Sequence, residues 1–290
     1  MTTTLRPTGP EQRTEWGGRA RSYEVCVNGR PVGSLDLTTD ERLGSEVGRI
    51  ERLDIDEPDR HRGRGTVAAL AAEEVLRGWG CTQVAVSVPA QATTGLGLAG
   101  ALGFGERGRN MVKELSEAPE LPPGSEVRNM GEAEYPAWFE HERAGYIRDW
   151  MDRGVAEGAA RAKADSAYAT LLPDGPATPG TLLRVLAHGG TDVGTVWVAI
   201  RPEEAAGTEA AGTGTADGPP EAYVYAVEVA EEYRGRGHGR TLMLAAERDS
   251  LTAGARTIGL HVFGGNAPAL RLYESLGYRP TQYHLFKQLL

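Results

Sequence analysis

Apolar and polar positions change period along this chain in blocks, and each change of period marks an element. Two-residue alternation runs over 23–37 and breaks at Asn28-Gly29, a pair that tolerates two positive φ angles, which predicts a β-hairpin. The pattern then predicts a strand over 47–55, a helix over 66–79, a strand over 83–88, a short helix over 94–102 and a strand reaching Leu115. Residues 116–126, rich in Pro and Glu, read as a linker. Beyond it the pattern predicts a strand around Val127, helices over 132–153 and 156–171, a turn-rich stretch over 173–180 and a hairpin over 182–200. A strand over 222–229, a helix over 241–251, a strand over 258–262, a short helix over 266–276 capped by Gly277, and a last strand over 282–289 complete the chain. Residues 205–220 are low-complexity Gly/Ala/Thr/Glu and read as a mobile loop without chemistry. Strands and helices mixed in this way predict an α/β protein of the α+β kind, with a mixed, mostly antiparallel sheet flanked by helices in each of two domains. The expected boundaries are 1–116, a linker at 117–126, and 127–290.

Between the strand over 222–229 and the helix after it lies Arg234-Gly235-Arg236-Gly237-His238-Gly239-Arg240. A strand that turns through glycines into a helix presents backbone amides that have no intrahelical acceptor, and the helix dipole adds positive potential at the same place. Glycines let a ligand approach the backbone, and three arginines add full charge. The run therefore suits a phosphate. No Gly-Lys-Ser/Thr follows it, and its spacing is not Gly-x-Gly-x-x-Gly, so neither a P-loop nor a dinucleotide-binding turn is indicated. A solvated Arg/Gly turn is the competing reading of the run alone.

Downstream, Asn266-Ala-Pro-Ala-Leu-Arg-Leu-Tyr273-Glu-Ser-Leu-Gly277-Tyr278 supplies a second motif. The two together resemble the GNAT superfamily of N-acyltransferases: Arg234-x-x-Gly237-x-Gly239 is similar to its pyrophosphate-binding loop, and residues 266–278 to its Asn-x-x-Ala-x-x-Leu-Tyr-x-x-x-Gly-Phe/Tyr signature. The resemblance covers about 127–290 in full. It implies that amides of residues 234–240 (Arg234, Gly235, Arg236, Gly237, His238, Gly239, Arg240) hold the diphosphate of acetyl-CoA, the acyl donor. It implies that Val227 and Val229 offer main-chain groups to the pantetheine arm, and that Asn266 meets the arm near the thioester. Tyr273 is implied as the acid that protonates the departing thiolate, and Glu228 as the carboxylate that takes the amine proton, directly or through water. A surface carboxylate and a core-packing tyrosine are the plainer readings of those two residues. An alkyl ammonium of pKa ~10.4 is neutral in about one molecule in 2,500 at pH 7, so a base is needed before nitrogen can attack. A thiol of pKa ~8.5 leaves tolerably unaided, so the phenol's help is modest.

The pattern also occurs earlier. Arg62-Gly63-Arg64-Gly65-Thr66 parallels Arg234-Gly235-Arg236-Gly237-His238 at an offset of 172 residues (234 minus 62), while Leu53-Asp54-Ile55 and Leu102-Gly103-Phe104 parallel Val227-Glu228-Val229 and Leu276-Gly277-Tyr278 at 174. An insertion with a compensating deletion accounts for the difference. In this register Ala92 replaces Asn266, Ala99 replaces Tyr273 and Val67 replaces Gly239, so the first copy reads as a truncated, degenerate, non-catalytic module following a Thr/Pro/Gly-rich leader. It suits one wall of the acceptor cleft or a built-in dimer partner. A coenzyme held by Arg60, Arg62 and Arg64 is the competing reading, and a homodimer stays open.

Forty acidic against 31 basic residues, a formal charge of -9, oppose binding to nucleic acid or anionic membrane. Cys26 and Cys81 are too few for a disulfide framework and wrongly spaced for a metal site; both read as small buried hydrophobes. No apolar run is long enough to span a membrane and no export signal opens the chain, so a cytoplasmic protein is expected. The resemblance places the acceptor among Trp138, Glu140, His141, Glu142, Tyr146 and Trp150, and acidic members of that set favour a cationic amine. Tandem members of the family with one degenerate half favour a small-molecule amine. Protein lysines or N-termini, or an acyl-CoA sensor without turnover, are the alternatives.

Overall fold

The computed structural model describes residues 2–14, 17–39, 46–152, 155–200 and 221–289, so the low-complexity stretch expected as a loop over 205–220 lies outside the described residues. The chain forms two compact units, one comprising Met1–Arg107 with Tyr283–Leu290 and the other Gly108–Gln282.

In the first unit β1 (Thr3–Pro7) and β2 (Gln12–Arg13) both pair with β3 (Arg19–Val27), so the expected leader is part of the sheet. Asn28 and Gly29 take φ 50° and 82°, a turn whose twist matches the strands it joins, and β4 (Arg30–Thr39) returns antiparallel. β5 (Val47–Ile55), α1 (Arg64–Gly78), β6 (Gln83–Pro89) and α2 (Thr93–Ala101) follow. β5 runs antiparallel to β4 and parallel to β6, and α1 makes the crossover that a parallel pair requires. Leu35, Leu37, Leu76 and Val84 are fully buried in the core between sheet and α1. Cys26 and Cys81 are buried and free, as expected.

The second unit starts inside β7 (Gly105–Glu114), which runs antiparallel to β12 (Thr257–Phe263). Outward from β12 lie β11 (Ala222–Val229), β10 (Thr191–Ile200), β9 (Thr181–His188) and β8 (Ser125–Asn129). α3 (Tyr135–Met151) and α4 (Glu157–Leu171) pack on one face around Trp138, Tyr168 and Trp197. α5 (His238–Thr252) and α6 (Ala267–Ser275) pack on the cluster built from Leu242, Met243, Ile258 and Leu260. The last strand, β13 (Arg279–Gln288), begins in this unit, where Thr281 Oγ1 donates to Asn110 O, and ends in the first.

Each half of the chain thus surrenders the end of its last strand to the other unit. Lys113 pairs at 2.7 Å with Glu247, and Lys287 at 2.8 Å with Glu73, both carboxylates being only 2% exposed. Positions 73 and 247, like 113 and 287, differ by 174, so each buried glutamate takes its lysine from the other repeat. The boundaries expected at 116 and 127 follow the chain, whereas the compact units do not.

The same offset corrects the register of the repeat. Gly63 and Gly237, at φ 74° and 88°, are the residues that open α1 and α5, and Arg60 Nε and Arg234 Nε donate to Ile55 O and Val229 O respectively. Arg60-x-x-Gly63-x-Gly65 therefore corresponds to Arg234-x-x-Gly237-x-Gly239 at 174 throughout, with no insertion or deletion (234 minus 60). Gly65, not Val67, stands where Gly239 does, so the loop motif of the first copy is complete. The repeated Arg-Gly dipeptides let the two loops be matched two residues out of step along the sequence; helix onset and backbone φ set the true frame.

Candidate active site

β11 is bulged. Its pairing with β10 jumps from Trp197↔Ala226 to Val198↔Val224, leaving Tyr225 as the extra residue. A bulge bends its strand and raises the local twist, and here it coincides with the end of pairing on the other side. β11 meets β12 only at Ala222↔Ile258, Tyr223↔Gly259 and Val224↔Leu260. From there β11 follows β10 to Val229↔Gly194 while β12 follows β7 to Phe263↔Gly108, so residues 225–229 and 261–263 part company. The sheet opens at this end.

The glycine-rich loop stands at the mouth of the opening. Gly235 and Gly237 adopt φ 77° and 88°, where a Cβ is strained. Among the described residues no backbone acceptor meets the amides of 235–239; the first amides that bond are Arg240 and Thr241, both to Gly237 O. Arg234 is exposed and spends Nε on Val229 O, which pins the loop to the strand end. Arg236 lies over the Tyr233 ring, and Arg240 donates to Ser275 Oγ, tying α5 to α6. His238 is buried beside His188, with ring centroids 5.0 Å apart, and burial together with His188 and Arg236 lowers its pKa, so the imidazole at this helix N-terminus is neutral at pH 7.

α6 carries the second motif. Asn266 is its N-cap, with Oδ1 accepting from Ala269 N at 3.2 Å, so part of its side chain is committed to the helix. Tyr273, two turns further on along the same face, packs with Val227 and Val229 against the core cluster of this unit, and burial pushes its phenol up to about 12. Ala226 packs instead with the cluster under α3 and α4, and Glu228, two residues on along β11, reaches α3: His141 Nε2 lies 2.9 Å from Glu228 Oε1. Burial and the neighbouring Glu228 raise the Glu142 carboxyl to about 7. Of the other residues expected near the acceptor, Trp138 is core, Glu140 is exposed, and Tyr146 and Trp150 edge the aromatic cluster. Helical spacing placed His141 on α3, but a partner 87 residues away carries no sequence signal.

The corresponding end of the first unit opens in the same way. β5 is bulged at Glu51, and its pairing with β6 stops at Ile50↔Val86. Its loop differs in chemistry: Arg64, in the place of His238, turns into a buried ion pair with Asp59, which Arg30 also meets at 2.9 Å. Ala92 and Ala99 stand where Asn266 and Tyr273 do.

A family model described as "Acetyltransferase (GNAT) family" matches residues 2–104 and again 126–278. The chain belongs to the GNAT acetyltransferase family. Two matches make it a tandem member, and the family uses acetyl-CoA as acyl donor. The N-acetyltransferase YycN of Bacillus subtilis is 31% identical over 123 residues, which are 42% of this chain and 70% of that one. A mycothiol acetyltransferase of Nocardiopsis dassonvillei is 48% identical over 71 residues, 24% of this chain; the chain spans about a fifth (22%) of that enzyme's length. Among solved structures, the GCN5-related N-acetyltransferase from Sphaerobacter thermophilus aligns with a TM-score of 0.57 at 18% identity over 92% of this chain and 80% of its own, a likeness of fold. This GNAT protein is an acyltransferase. Among its described residues no helix is long and apolar enough to cross a membrane, and no cluster of three or more His, Cys, Asp or Glu could hold a metal.

Proposed function

We propose that the second unit transfers the acetyl group of acetyl-CoA to the primary amine of a small molecule by direct attack, with both substrates bound. The observation that carries this reading is the opening between β11 and β12 with unspent amides at its mouth. A diphosphate suits the amides of 235–239, and the bound coenzyme supplies the acetyl group on a thioester, an activated acyl. Val227 and Val229 line the strand along which its arm enters, and Asn266 stands at the start of α6 beside it.

The two faces of β11 divide the remaining work. On the α6 side, Tyr273 keeps its proton throughout the neutral range and can hand it to a departing sulfur. On the α3 side, Glu228 draws in a cationic amine and promotes the loss of its proton, directly or through a group it holds. A small-molecule acceptor is supported by the stretch shared with an enzyme named for mycothiol. The first unit, with alanines at 92 and 99 and its Arg64 held by Asp59, is non-catalytic.

Thiol release from acetyl-CoA, followed with a panel of glucosamine, spermidine and cadaverine, tests this reading. Turnover is expected with at least one amine, and Glu228→Gln is expected to lower kcat/KM about a hundredfold. Calorimetry that detects no acetyl-CoA binding at millimolar concentration would overturn it.

A further inference from the structure

We propose that the group which accepts the amine proton is His141, through Nδ1, and that Glu228 acts by holding its imidazole; this rests on the acetyl-transfer reading above. The ring nitrogen 2.9 Å from Glu228 Oε1 is Nε2. An ionised carboxylate only accepts hydrogen bonds, so Nε2 must be the donor, and the neutral ring that results carries its lone pair on Nδ1. Glu228 thereby selects the tautomer and stabilises the imidazolium that proton uptake creates. The same division of labour between a carboxylate and a histidine is used to activate nucleophiles in unrelated enzymes.

Basicity favours the imidazole over the carboxylate. An ammonium of pKa ~10.4 gives its proton far more readily to an imidazole, whose ordinary pKa is ~6.5, than to a glutamate near 4.3. Placement favours it too: the His141 side chain is 66% exposed and that of Glu228 35%, so the histidine meets water more fully and can pass the proton on. The charged and titratable groups around the pair are Glu142 and Asp149 of α3, which lie on the helix that carries His141, Glu228 itself on β11, and Tyr168 of α4, which senses Glu142.

The protons balance. One leaves the ammonium nitrogen for His141 Nδ1 and goes on to water. The neutral nitrogen then forms its bond to the acetyl carbon as the carbon–sulfur bond breaks. The second proton leaves the new amide nitrogen, and sulfur receives one from the Tyr273 hydroxyl, which recovers it from the amide side through solvent. The sum is ammonium plus acetyl-CoA giving acetamide, CoA thiol and one proton.

The test compares His141→Ala, His141→Gln and Glu228→Gln with the parent protein, using whichever of glucosamine, spermidine or cadaverine it acetylates fastest. Both His141 variants are expected to lose about a hundredfold in kcat, to keep the KM for acetyl-CoA, and to lose the acid limb of the rate profile, while Glu228→Gln, slower too, keeps that limb. Added imidazole is expected to raise the rate of His141→Ala in proportion to its concentration. His141→Gln, which can still donate to Glu228, running at the parental rate would reduce His141 to a positioning role and overturn the proposal. So would an acid limb that vanishes with Glu228 and not with His141. A parent protein that acetylates none of the amines fails at the earlier step and sinks the transfer reading itself.

Discussion

Glu142 is drawn out of water on the turn of α3 that also carries His141, and its carboxyl is raised to about 7 by burial first and by Glu228 second. The neutral acid is the form the folded protein favours. Stability from this group is therefore full below the ordinary carboxylate value of 4.5 and is lost as pH rises through about 7. Glu142→Gln is expected to stabilise the protein by about 2 kcal/mol at pH 8, with no difference below pH ~4, read from melting curves across that range. Tyr273 sits in the opposite regime: its phenol, at about 12, is protonated under any ordinary assay. Tyr273→Phe should lower kcat about tenfold without altering the rate profile below pH ~10, because the lost group does not titrate there. A drop of a thousandfold, or a new alkaline limb, would contradict the modest acid role.

At the scale of elements, two features do most to shape the site. The bulge at Tyr225 and the end of β11–β12 pairing at Val224 and Leu260 create the opening, and the left-handed Gly237 starts α5 at its mouth. Gly237→Val forces a β-branched side chain to φ near 88°, which costs about 1–2 kcal/mol and turns the loop amides away from their present directions. Its KM for acetyl-CoA is expected to rise at least tenfold with kcat little changed, measured by thiol release. The exchanged strand ends make a separate prediction. Lys287→Ala leaves the buried Glu73 with only Arg77, at 3.7 Å, as a cation and should cost about 2 kcal/mol in urea unfolding, whereas Glu73→Leu combined with Lys287→Met should recover most of that, because an apolar pair of similar volume needs no desolvation.

For the whole molecule, the exchange means that neither half of the chain holds all of one compact unit. The second unit needs residues 108–114 and the first needs 283–290. A fragment of 127–290 lacks β7, which leaves β12 without its antiparallel neighbour and exposes a hydrophobic edge. Expressed alone, fragments 1–116 and 117–290 are expected to be aggregated or only partly folded, and co-expressed they are expected to recover the acetyl-CoA binding of the full chain, as read by circular dichroism and calorimetry. Independent folding of each fragment would show that the exchanged strands are dispensable.

Periodicity placed nearly every element within two or three residues, because burial of alternate or helically spaced apolar side chains is a local property, as in β5, β6 and β10. The tandem organisation and the loop of 234–240 were equally legible, since glycine at a left-handed position leaves a mark in the sequence. Sequence similarity alone set the first loop out of register by two residues; Gly63 at the start of α1 supplied the true frame. The strand exchange, the opening between β11 and β12, and the contact of His141 with Glu228 depend on which distant segments share an edge or a face. Those choices are settled by the packing of the folded chain, and no spacing between residues along the sequence encodes them.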